Sequence, residues 1–268
     1  MSAVRGKGPL QGLMAALRES PALWWSFLYF FCLLSGYYVL RPVREAMAAS
    51  ADLETVFPPA LIAWFAGHGI ALKDFVLQFL FSCVFVIMLV LQPVYGWLVS
   101  RFPRRVFLPV IYGFFIATLL VFYAMFDSGI AGRGLAFILW ITVFNLFAVA
   151  VFWSFMADVF TNVEARKYYG YIGAAGTMGA FLGPALTKAL VVRVGIPNMM
   201  LVSAFLFSVC VLCIFRLRTW AVARESERRQ ASGEIPMGGE VLAGLKLIVR
   251  EPLLRWLAVM VVMGVGVG

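Results

Sequence analysis

The chain has 268 residues, 63% of them hydrophobic and 13% charged, with a formal net charge of +9. A soluble globular domain carries about 25% charged residues, so this composition excludes an ordinary water-soluble fold and points to lipid as the solvent. The basic surplus does not mark a nucleic-acid binder: no basic stripe is interleaved with aromatics, and most basic residues fall between apolar segments, where membrane topology needs them.

The first stretch, "MSAVRGKGPLQGLMAALRES", lacks the apolar core and cleavage site of a signal peptide and reads as a basic tail with a short amphipathic part. A membrane span needs about 20 apolar residues. Six such spans are predicted, at 22–47, 75–99, 106–126, 135–159, 169–192 and 197–215. The first is expected to act as an uncleaved signal anchor. A seventh begins at 253 and stops at Gly268 within "VVMGVGVG", so we expect the protein to continue beyond that point. The expected fold class is all-α, a polytopic membrane helix bundle. Its expected organisation is a cytoplasmic tail (1–21), a six-helix bundle (22–218), a flexible polar linker (219–251) and the start of a seventh helix (252–268). Six spans, a long inner loop and further spans is the layout of a two-half secondary transporter.

Orientation follows from Lys and Arg. With the N-terminus in the cytoplasm, only Arg41, Arg44, Lys73, Arg133, Lys188 and Arg193 fall outside. The other 16 of the 22 basic residues fall inside, as the positive-inside rule requires.

The first span, "ALWWSFLYFFCLLS", runs into "GYYVLRPVREAM", which holds Arg41, Pro42, Arg44 and Glu45. Arg41 and Arg44 are three residues apart and share a helix face, and Glu45 lies four residues from Arg41. Pro42 disturbs the turn and frees backbone groups. Two guanidiniums on one face suit a carboxylate or phosphate. The competing reading is snorkelling, since about 20 residues after Leu23 the helix reaches the interface. Lys188, near the outer end of the fifth span, lies on the same side of the membrane. A charge at mid-bilayer costs about 2.5–3.5 kcal/mol, so such groups should face protein or water.

After the second span comes "GWLVSRFPRR". It resembles the signature loop of the major facilitator superfamily, G-x-x-x-D-R-x-G-R-R, with Gly96, Arg101, Arg104 and Arg105 in register. Ser100 stands for the acid and Pro103 for the second glycine. The resemblance implies a cytoplasmic gate latched by these arginines; the alternative is a plain positive-inside anchor. Asp158, in "FWSFMADVFTNVEARKYYGYI", is a candidate partner for Arg101 or Arg104, or else a solvated helix end. The fifth span repeats small residues, with Gly173, Gly176, Gly179 and then Gly183-Pro184. Such residues let helix backbones approach closely in lipid. Gly179-x-x-x-Gly183-Pro184 resembles part of the same family's fifth-helix motif.

A second resemblance is narrower. "YYVLRPVREAM" and "FWSFMADVFTNVEARKYYGYIGAAG" are similar to the first helix and the fourth-to-fifth passage of the ATP/ADP translocase family. That resemblance implies nucleotide exchange by an antiporter and a functional base-acid pair at Arg44 and Glu45. The family's fourth-helix glutamate has no counterpart here, Asn145 being the nearest polar residue. The substrate-binding candidates are thus Arg41, Arg44, Glu45, Asn145 and Lys188.

Other chemistry lacks its parts. Cys210 and Cys213 form a C-x-x-C spacing inside an apolar run, read as small core residues, and His68, the only histidine, is read as a loop residue. No metal, cofactor or catalytic residue is expected, and no enzyme activity. The expected partners are membrane lipid, a small anionic solute and the C-terminal half of the same protein. The sequence points to a secondary transporter of an organic anion or nucleotide-like solute in a bacterial inner membrane. The rivals are a non-transporting sensor or assembly partner of the same fold, and a seven-helix receptor or retinal protein. The seventh span carries no lysine for a Schiff base.

Overall fold

The computed structural model describes residues 20–48, 57–69, 71–72, 75–101, 104–127, 132–232, 250–253, 255–257 and 260; within its helices the side chains of 46–48, 77, 92, 95–101, 104–106, 127, 146 and 225–232 fall outside that description. The described residues form helices and no strand: α1 (Pro21–Ala48), α2 (Pro59–Gly67), α3 (Val76–Arg101), α4 (Arg104–Asp127), α5 (Arg133–Val159) and α6 (Asn162–Ser232). In lipid a backbone must satisfy its own polar groups, which is why each apolar run closes into a helix. Four segments are long and apolar enough to cross a membrane: Pro21–Glu45, Phe107–Phe126, Arg133–Val159 and Asn162–Arg224. A shorter apolar one, Gln78–Leu91, lies in α3. The protein is an integral membrane protein of the all-α class.

The predicted spans coincide with α1, α3, α4 and α5 to within about two residues at each end. The fifth and sixth join as the two limbs of α6. Its only non-helical residue is Gly195, with φ 82° and ψ 165°. That conformation is open to glycine almost alone, so the reversal between the limbs takes a single residue, with Pro197 opening the second limb. Two features differ from expectation. A short helix, α2, stands between the first two spans, with Pro59 at its first turn. The second limb of α6 runs on to Ser232, so 219–232, expected as flexible linker, is helix. The remainder, 233–249, lies outside the described residues. Short helical pieces follow at 252–253 and 255–257.

The main core joins α1, α4, α5 and α6 through aromatic packing, including Tyr29, Phe30, Tyr112, Phe144, Phe152 and Phe207. Tyr29 donates its hydroxyl hydrogen to Tyr112 at 2.9 Å in full burial, so the polar tips of two core aromatics satisfy each other. A smaller cluster of Phe57, Leu72, Leu80 and Ile138 sits under α2.

Candidate functional site

Helix α1 positions the site because one side of it is locked. It lies parallel to the first limb of α6 and antiparallel to the second. A Cβ added at Gly176 would collide with Phe30; at Gly179 it would stand 2.5 Å from the Phe31 carbonyl oxygen, and at Gly183 2.6 Å from Tyr38 Cβ. Hydrogen there is what lets the two backbones touch. A Cβ at Gly173 meets nothing within 4 Å, so this glycine, expected to pack with the others, stands outside the contact. Pro184 lies within the helix one residue beyond. Hydroxyls then tie the seam: Thr187 donates to the Val39 carbonyl and Ser203 to the Gly36 carbonyl, each at 2.9 Å. The Cys210 thiol points at the Tyr29 carbonyl at 3.6 Å. Cys210 and Cys213 are both free and buried, as core residues are.

Past this seam α1 carries its charges. Arg41 Nε donates to Glu45 Oε1 at 2.7 Å, and Arg44 Nη2 lies 3.5 Å from the same oxygen. The side chains differ in exposure: 46% for Arg41, 55% for Glu45 and 22% for Arg44. Arg41 also lies over the Tyr38 ring, 5.6 Å from its centre. The Arg41–Glu45 pair is a surface helix pair of about 0.3–0.5 kcal/mol, enough to orient side chains and little more. Arg44 instead faces inward. With Glu45 it lines a cavity of about 380 Å³, walled by Leu80, Phe81 and Val84 of α3 and by Ile138 and Thr142 of α5. The Thr142 hydroxyl donates to the Ile138 carbonyl at 2.8 Å, so it offers the cavity lone pairs rather than a hydrogen.

The structure therefore brings Arg44 and Glu45 to one cavity. Arg41, Asn145 and Lys188 are not among its lining residues, and Lys188 is exposed. Sequence reading missed the α3 wall and Thr142. The helical spacing of Leu80 and Val84 was the available signal, but an all-apolar helix gives no sign of which side faces in. Among the gate candidates, the side chains of Gly96, Arg101, Arg104 and Arg105 lie outside the described residues. Asp158 is half-buried in the last turn of α5.

A second charged arrangement was not foreseen. Thr161 and Glu164 form a capping box at the start of α6: the Thr161 amide donates to Glu164 Oε2 at 2.9 Å, and the Glu164 amide donates to Thr161 Oγ1 at 3.3 Å. Arg224, 60 residues on, donates to both Glu164 oxygens at 2.9 and 3.1 Å. This clasp joins the turn after α5 to the far end of α6. The T-x-x-E spacing was readable; the arginine was not. His68 caps α2 from the surface, its Nδ1 2.7 Å from the Trp64 carbonyl oxygen. Among the described residues no cluster of His, Cys, Asp or Glu could hold a metal.

Comparison with known proteins adds one finding. Neither the curated proteins nor the solved structures give a match. The profile of the Major Facilitator Superfamily matches residues 46–268, most of the chain, starting one residue after the Arg41–Glu45 cluster. With long apolar helices packed through small residues and a charged cavity among them, the chain belongs to the Major Facilitator Superfamily and is a membrane transporter of that type.

Proposed function

We propose that the protein is a secondary active transporter that carries an organic anion by alternating access, with Arg44 holding the anionic group. The observation that carries this reading is the setting of Arg44. Its side chain is only 22% exposed, lines a cavity walled by three helices, and keeps a long 3.5 Å contact to Glu45. With only Nη2 near Glu45, the other N–H donors of the planar fork can meet a carboxylate or phosphate. A cation that merely snorkelled would turn outward, as the more exposed Arg41 does.

The remaining parts follow from this reading. The N-terminus is cytoplasmic, by the basic-residue asymmetry, and the cavity stands toward the outer face. Gly96, Arg101, Arg104 and Arg105, with Asp158, latch the cytoplasmic side while the cavity is open outward. The likeness to ATP/ADP translocases favours exchange transport, and a nucleotide-like cargo is the alternative to a simpler organic anion. A bacterial inner membrane is the location that suits the topology.

Uptake into proteoliposomes at matched protein levels tests the role of Arg44. Arg44→Ala should lower uptake at least tenfold. Arg44→Lys should keep part of it, since the charge survives and the fork is lost. Lys188→Ala should do less than either. Normal uptake by Arg44→Ala would mean that the cluster only anchors α1 at the interface.

A further inference from the structure

The charges around the cavity bear on which anion fits it. We propose that the cavity between α1, α3 and α5 selects a monoanionic solute with an apolar body, such as an aryl or branched carboxylate, over nucleotides and other polyanions. This rests on the reading of Arg44 as the partner of the anion.

Charge balance is the first argument. Arg41, Arg44 and Glu45 share one carboxylate oxygen, at 2.7 and 3.5 Å, and together carry a single positive charge. One monoanion beside Arg44 brings the cluster to neutrality. A solute with three or four negative charges leaves a net negative cluster and sets its surplus charge against the Glu45 carboxylate. Arg41 offers no relief, because it is committed to Glu45 and does not line the cavity.

Donor supply is the second. Among the described lining residues the side-chain N–H donors belong to Arg44, and the Thr142 hydrogen is spent on Ile138. A purine and a ribose would bring ring and ether acceptors to a wall of Leu80, Phe81, Val84 and Ile138 that has no donor for them, and their own hydrogens would meet only Thr142 Oγ1 and the Glu45 carboxylate. An aromatic or branched hydrocarbon body meets the same wall favourably. Size agrees: about 380 Å³ is roughly a dozen water volumes, at the small end of ligand cavities.

The test uses the full-length protein in phosphatidylcholine nanodiscs, with binding of radiolabelled 4-phenylbutyrate counted above empty discs. Phenylbutyrate should bind saturably, and ADP should compete at least tenfold more weakly than unlabelled phenylbutyrate. Glu45→Gln adds one positive charge to the cluster and should narrow that gap at least threefold. Phe81→Ala, at a position 71% exposed and therefore tolerant, should weaken phenylbutyrate several-fold and leave the potency of ADP unchanged. The proposal is overturned if ADP competes as well as phenylbutyrate, if neither binds, or if Phe81→Ala changes nothing. Arg44→Ala separates the two claims. If ADP is the better ligand and its binding is lost in Arg44→Ala, the Arg44 site stands and only the solute class is wrong. Binding of both anions unaffected by Arg44→Ala would remove the site itself.

Discussion

Helix α1 has two unlike sides. Toward α6 it is sealed: glycines bring the backbones into contact, and hydroxyls from α6 reach the α1 carbonyls. Around Arg44 and Glu45, facing α3 and the Ile138–Thr142 turn of α5, it is open on a cavity that Arg44 lines, while further along α5 it is packed through Phe30 and Phe152. Lipid tails are as apolar as leucine, so burial alone does not hold membrane helices together. Close backbone approach and interhelical hydrogen bonds do, and both are concentrated on the α6 side. The α3 side exposes its apolar residues instead, among them Phe81, Phe85 and Leu89 at 71, 67 and 64%. The sealed side fixes α1 as a rigid post, which is what a charged group at its end needs to keep a fixed place.

The largest effect should come from prising the sealed side apart. Gly183→Leu inserts an isobutyl group against Tyr38 and should destabilise the protein by about 1–3 kcal/mol or more, seen as loss of monodisperse protein after extraction. Gly173→Leu, on the same helix with open space before it, should extract normally. Equal behaviour of the two would break the distinction between the sides.

A smaller effect tests whether the end at the α5–α6 turn is pinned separately from the seam. Thr161→Ala removes the cap hydroxyl of α6 and should cost about 1 kcal/mol, read as a lowered thermal midpoint with uptake retained. Smallest is Thr187→Val, which deletes one hydroxyl donor while keeping the side-chain shape. Its bond to Val39 should be worth about 0.6 kcal/mol, so the variant should lose a little thermal stability and none of its substrate affinity.

The sealed side was partly legible in the sequence, because small residues at three- and four-residue spacing are a local signal. Gly173 shows the limit of that signal: it fits the repeat, yet faces open space. The spans were legible for a physical reason, since lipid forces any long apolar run into helix. Helix α2 escaped because nine residues are too few to register as a span, although Pro58-Pro59 marks its start. The helical continuation to Ser232 escaped because its charged composition resembles a linker. On the open side, Arg44 stood out as a charge in an oily run. Leu80, Phe81, Val84, Ile138 and Thr142 could not stand out, because the rotation of α3 and α5 is set by packing between distant segments. The Glu164–Arg224 clasp was hidden for the same reason, its partners being 60 residues apart.

The central claim is that the open side of α1 holds an anion at Arg44. It is tested most directly by a thiol placed in the cavity with Arg44 left intact. In full-length protein carrying Cys83→Ser and Thr142→Cys, with any cysteine outside residues 1–268 replaced by serine, Cys32, Cys210 and Cys213 are a buried background. The rate of maleimide labelling at position 142 is then measured with and without a saturating transported anion. The account predicts that the anion slows labelling several-fold, and that Arg44→Ala abolishes this protection. An unchanged rate in the presence of the anion, with Arg44 in place, would contradict it.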